Sequence, residues 1–105
     1  MAEVVKNVRE FVSDRPWGAK TLSEIDGATV RLHWTDRPYR WHVNDGAEVF
    51  VVLDGAVEMR YRHGGTEERV QLNPSDIFIA AAGDEHVAHP IGQARILVIE
   101  RKGSV

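Results

Sequence analysis

Residues 40–55 read RWHVNDGAEVFVVLDG, and the interpretation of the whole chain turns on this stretch. His42 and Asn44 lie two residues apart, so on extended backbone both side chains point the same way. Glu48 then opens Glu48-Val49-Phe50-Val51-Val52-Leu53, a β-branched and aromatic run of the kind that forms a strand covered on both faces. A carboxylate at the head of such a run needs a partner, because burying an isolated charge costs more than packing returns. Two imidazoles, or a metal held by them, would supply it.

Outward from this stretch the chain is a series of short strands with turn signals between them. Val4, Val5, Val8, Phe11 and Val12 recur at helical spacing before Pro16, which suits a short N-terminal helix, with an edge strand as the competing reading. Residues 17–25 suit a strand, and Asp26-Gly27 turns the chain into 28–34. There Val30, Leu32 and Trp34 alternate with Arg31 and His33, as in a half-buried strand. Asp54-Gly55 reads as a hairpin turn. It leads to 56–62, where Val57, Met59 and Tyr61 oppose Glu58, Arg60 and Arg62. Strands are expected at 67–72 and 77–80, and a last apolar one at 94–100, with 101–105 as a frayed tail. This rhythm predicts an all-β sandwich or barrel, without choosing between a jelly roll and an immunoglobulin-like sandwich.

The residues resemble a family signature. His42-x-Asn44-x3-Glu48-x6-Gly55 is similar to the first motif of the cupins, G-x5-H-x-H-x(3,4)-E-x6-G. Gly83-x2-His86 resembles the centre of their second, G-x5-P-x-G-x2-H-x3-N. Asp36 stands at the first motif's opening glycine and Asn44 at its second histidine. In the second motif Ser75, Ala81 and Pro90 stand at the opening glycine, the proline and the asparagine. The resemblance extends over nearly the whole chain and implies a double-stranded β-helix of jelly-roll type, one domain over residues 1–105.

By the same resemblance the metal ligands fall on His42, Asn44, Glu48 and His86, around a divalent ion such as Fe, Mn, Zn or Ni. An amide oxygen is a weaker donor than imidazole toward most of these metals. Without Asn44 the set is two histidines and a carboxylate, that of many non-haem iron oxygenases. Dioxygenase, isomerase or epimerase chemistry on a small organic molecule is what the family implies. The rival expectation is a non-catalytic barrel that binds a small ligand, its metal site decayed. Each of these residues taken alone has an ordinary structural explanation: His42 at a barrel mouth, His86 on the loop Gly83-Asp84-Glu85-His86, and Glu48 paired with an arginine.

The remaining polar residues are read more plainly. His89, three beyond His86 and followed by Pro90, belongs to a loop or the opposite face, and His63 to a solvated glycine turn. Arg31 and His33 share a strand face. Were that face to look into the barrel, the two would suit an anionic substrate group; an exposed sheet face is the more ordinary expectation. Asp84 and Glu85 are adjacent loop residues and are given no catalytic role. No nucleophile elbow or phosphate-cradling glycine loop is present.

Composition sets the outer limits. A chain of 105 residues is expected to form one domain with a modest core. The absence of cysteine leaves nitrogen and oxygen as the available metal donors. With 13 basic and 16 acidic side chains the net charge is -3, and no basic stripe points to nucleic acid. Apolar runs are too short for a membrane helix, and the charged N-terminus lacks a signal-peptide pattern, so a cytoplasmic protein is expected. The apolar runs 49–53 and 96–99 need cover on both faces, which a short chain finds most easily in a homodimer.

Overall fold

The computed structural model describes residues 1–104, and of His63 the backbone alone. Seven strands follow one another: β1 (Gly18–Ile25), β2 (Ala28–Thr35), β3 (His42–Val43), β4 (Glu48–His63), β5 (Thr66–Leu72), β6 (Ile77–Ala80) and β7 (Glu85–Arg101). All pairings are antiparallel. No helix of the described residues is long and apolar enough to cross a membrane.

Two long strands organise the architecture. β4 and β7 pair along most of their lengths, with register shifts around Asp54, and this break lets both strands pass from one sheet into another. The first half of β4 and the last of β7 lie in a sheet of order β1-β2-β7-β4-β6, while the remaining halves join β3 and β5. The resulting pair of sheets encloses Phe50, Val52, Val57, Met59, Leu72, Ala88, Ala94, Ile96 and Val98. These residues alternate along β4 and β7, so a period of two delivers one apolar face per strand to the core.

Four sequence expectations are corrected. Asp54-Gly55 is not a hairpin turn but the bulge inside β4. Gly55 has φ +78°, and a Cβ there would collide with the Gln93 carbonyl oxygen, so the bend takes glycine and no reversal occurs. The N-terminal helix is absent: only a single 3-10 turn forms at Val8–Glu10, after Asn7 with φ 55°. Val4 and Val12 remain exposed, and β-branched residues with no face to bury make a poor helix. The last strand begins at Glu85 rather than 94, so His86 and His89 lie on a strand and not on a loop. Pro90 is accommodated because at that point β7 has β4 as its one strand neighbour.

The C-terminal residues are also more ordered than a frayed tail. Arg101 belongs to β7, the Lys102 amide donates to the Gly27 carbonyl, and the Ser104 hydroxyl donates to Asp45 Oδ1 at 2.7 Å. Val105 lies outside the described residues, as does the side chain of His63, for which a solvated turn was expected.

Candidate metal centre

His42 and His86 are brought together by strand register. β3 is two residues long and pairs with the start of β7, so that His42 faces His86 and Val43 faces Glu85. Just beyond, the Asn44 amide donates to the Asp84 carbonyl, and the Gly83 amide donates to the Asn44 carbonyl. These backbone bonds fasten the first ligand segment to the second. Arg62 strengthens the junction, its guanidinium lying 3.9 Å over the Trp41 ring while pairing with Glu85 at 3.3 Å.

Glu48 enters from the first residue of β4, on the face that continues into Phe50 and Val52. Its Oε1 lies 3.3 Å from His86 Nε2 and accepts a hydrogen bond from Asn44 Nδ2 at 3.0 Å. Asn44, Glu48 and His86 are each more than nine-tenths buried, whereas His42 is half-buried at the mouth. One potential ligand atom from each of His42, Glu48 and His86 lies within 4.8 Å of the others. Asn44 therefore sits at the site as the sequence suggests, but it presents its NH2 to the carboxylate.

Protonation suits cation binding. His42 Nδ1 donates to the Arg40 carbonyl at 3.1 Å, which leaves Nε2 with the lone pair. Burial pushes the His42 pKa down, opposed by that hydrogen bond, and the neighbouring His86 pushes it further. Burial alone would raise the Glu48 carboxyl, yet the hydrogen bond and charge of His86 and the Asn44 amide outweigh it and hold Glu48 below its ordinary value. The site thus combines an ionised carboxylate with a neutral imidazole. Two buried polar atoms here have no hydrogen-bond partner, His86 Nδ1 and Asn44 Oδ1.

The centre forms part of the wall of a cavity of about 200 Å³, small beside the ~300–1,000 Å³ usual for drug-sized ligands. Its apolar wall includes Trp17, Tyr39, Phe50, Ala88 and Val98. Edge-on ring contacts run from His86 to His42, then to Tyr39, Trp17 and His33. Arg31, His33, Glu100 and Ser104 also face this space. The exposed sheet face expected for Arg31 and His33 is therefore corrected: they point inward, and Leu32 and Trp34 are buried on the outer side. His89 points away, opposite Glu58 on β4.

Sequence reading missed Trp17, Glu100 and Ser104 as cavity residues. For Glu100 a signal existed, since it continues the alternation Ala94, Ile96, Val98 on the inward face of β7. For Trp17 and Ser104 there was none, because each lies just outside a strand and reaches the cavity only through tertiary folding.

Comparison with solved structures settles the architecture. A cupin superfamily protein from Desulfitobacterium hafniense superposes with a TM-score of 0.78 over 96% of this chain and 92% of that one, at 13% identity. The chain has the fold of a small cupin. A cupin-2 domain protein from Shewanella frigidimarina gives 0.76 at 21% identity, covering 86% and 85% of the two chains. The hydroquinone 1,2-dioxygenase PnpCD, in a complex with Fe3+, gives 0.76 at 17% identity. Against that enzyme 86% of this chain is covered, but only 29% of the dioxygenase chain. No family model matches the sequence, and no curated protein matches it.

Proposed function

We propose that this cupin holds one divalent metal ion on His42, Glu48 and His86 and acts through it on a small organic molecule in the adjoining cavity. The observation that carries the reading is the convergence of the three ligand atoms within 4.8 Å in a mostly buried site. His86 supports it, since its Nε2 faces Glu48 Oε1 at 3.3 Å, where an imidazole lone pair and a carboxylate oxygen could share one cation. Two imidazoles and a carboxylate match the ligand set of many non-haem Fe(II) sites. The Fe3+ in the PnpCD structure shows that a protein of similar fold carries iron.

Asn44 is assigned an orienting role. Its NH2 fixes the Glu48 carboxylate, and a hydrogen bond from outside the ligand set tunes both direction and basicity. The Arg40 carbonyl does the same for His42 by fixing its tautomer. A bound metal would supply Lewis-acid polarisation or a centre for O2. The chain's own residues orient the ligands, keep His42 unprotonated near neutral pH and exclude bulk water through Phe50, Ala88 and Val98. Dioxygenase or isomerase chemistry would fit this arrangement equally.

One feature favours the rival, a metal-free barrel that binds its ligand by hydrogen bonds. The Glu48 carboxylate already has partners in His86 and Asn44. Chelator and metal titrations followed by thermal unfolding separate the two, because an ion that binds only the folded chain raises its melting temperature. A rise of several degrees with one of Fe(II), Mn(II), Ni(II) or Zn(II), lost in His86→Ala, is expected for the metal centre. No rise with any of them would select the barrel.

The partner we propose for the outer face is a second copy of the chain. Strand register lines up Val30, Ile99, Val49 and Ile79 in one row and Leu97, Val51 and Ile77 in the next, which ends on Leu32, already buried within the chain. Ile77 and Ile79 are 57% and 71% exposed, and no charge interrupts the two rows. β6 pairs with β4 alone among the described strands, so its other edge is open for pairing as well. A two-fold dimer covers such a face with itself.

A further inference from the structure

Arg31 has no role in the ligand cluster, yet it points into the same cavity. Its Nε is buried without a hydrogen-bond partner, and its guanidinium enters none of the ion pairs among the described residues. Arg31 is half-buried, and a guanidinium whose Nε is shut off from water without a partner carries a cost that an anion docked on its fork would remove. Every other arginine of the inner strands has a visible partner: Arg60 pairs with Glu58, Arg62 with Glu85 and Arg95 with Asp54. Arg31 is the exception.

Its surroundings define what can bind. β2 places Arg31 opposite Val98 and Thr21, between an apolar wall residue and the edge strand. His33, the next inward residue, is held with Nδ1 donating to the Trp17 carbonyl at 3.2 Å. When neutral, His33 therefore offers Nε2 as an acceptor and gives no proton to an anion. Glu100 shares the inward face, opposite Thr29 and so diagonal to Arg31, but forms no ion pair with it among the described residues. Beyond the His42–Glu48–His86 cluster and Ser104, the remaining lining is aromatic or aliphatic: Trp17, Tyr39, Phe50, Ala88 and Val98.

We infer that the substrate of this cavity is a small carboxylic acid with an apolar body, its carboxylate docked on Arg31 and its body lying between Trp17, Tyr39 and Phe50 within reach of the His42–Glu48–His86 cluster. A planar fork with parallel N–H donors matches a carboxylate's two oxygens, which a lysine in the same place would not do. The cavity of about 200 Å³ limits the ligand to roughly the size of a single ring. The inference rests on the proposed metal reading only for what happens after binding; recognition by Arg31 needs no metal.

The test uses benzoate and benzamide, which differ in charge but hardly in shape, with pyruvate as a smaller acid. Each is titrated by calorimetry and ligand-detected NMR into chelator-treated chain and into chain reloaded with Zn(II). Benzoate should bind at least tenfold more tightly than benzamide in both preparations. Arg31→Gln should abolish that preference while leaving zinc stoichiometry unchanged, and Arg31→Lys should retain part of it. Equal binding of acid and amide overturns the inference, as does failure of both acids to bind the wild-type chain. A preference seen only with zinc and unaltered in Arg31→Gln also overturns it, because the acid would then sit on the metal. A preference for benzoate in a chain that takes up no zinc would sustain Arg31 and remove the metal reading, so the two fail separately.

Discussion

His42 and His86 are direct cross-strand neighbours, their rings 4.2 Å apart between centroids and inclined at 62°. Nothing in the sequence separation of these residues requires this. It results from a two-residue strand seated on the start of β7 and held by backbone bonds between Asn44 and the Gly83–Asp84 turn. Ligand spacing here is a property of sheet register, so a change in register would dismantle the site without touching a ligand.

Asn44 carries one consequence. Asn44→Ala removes the hydrogen bond that fixes Glu48 and should weaken metal affinity by about 10–100-fold, the usual cost of losing such an orienting partner. Competition with a chromophoric chelator measures this. Unchanged affinity would strip Asn44 of the orienting role.

Glu100 provides a pH test. Burial and the nearby Glu48 carboxylate push its pKa from 4.5 up to about 7. Between those values the folded chain keeps a proton that the unfolded chain releases, so this group's contribution is full below pH 4.5 and falls as the pH rises to about 7. Glu100→Gln removes the titration. In metal-free protein its melting temperature should match wild type near pH ~4 and exceed it by about 4 °C or more near pH ~8. A difference that stays constant across the range would show that Glu100 is not titrating in this way. The histidines run in the opposite sense: burial lowers His33 and His42, so their contribution is present above pH 6.5 and is lost as the pH falls below it.

How much of this was legible in the residues follows from which forces are local. Alternation in Val57, Met59 and Tyr61 identified a core-facing strand because a period of two survives in any sheet. His42, Glu48 and His86 were legible through motif spacing, and the structure brings all three together. Alternation pairs Arg31 with His33 on one strand face and leaves both the cavity and an exposed face open to them, since it cannot tell an inner face from an outer one when both are covered. At Gly55 the local Asp-Gly signal favours a turn. The continuing pairing of β4 with β7 on both sides of it converts that preference into a bulge.

The outer face predicts an oligomer. Ile79→Lys puts a charge on an exposed position of the apolar rows, where it costs the monomer little. Light scattering at micromolar concentration should show wild type as a dimer and Ile79→Lys as a folded monomer. A monomeric wild type would contradict the proposed interface.

The core separates stability from binding. Met59 is fully buried on β4, remote in register from Glu48, and Met59→Ala should cost about 2–5 kcal/mol in urea unfolding. Metal stoichiometry should persist under native conditions, and its loss would show that the centre depends on the core packing beside Ala88 and His86.

Metal content tests the central claim most directly. The chain is purified without an affinity tag near pH ~7.5, where imidazole ligands are deprotonated, reconstituted with each candidate ion and measured by elemental analysis beside His86→Ala and His89→Ala. The account predicts close to one ion per wild-type chain, the same in His89→Ala and almost none in His86→Ala. No ion in the wild-type chain after reconstitution, or an ion retained without His86, would contradict it.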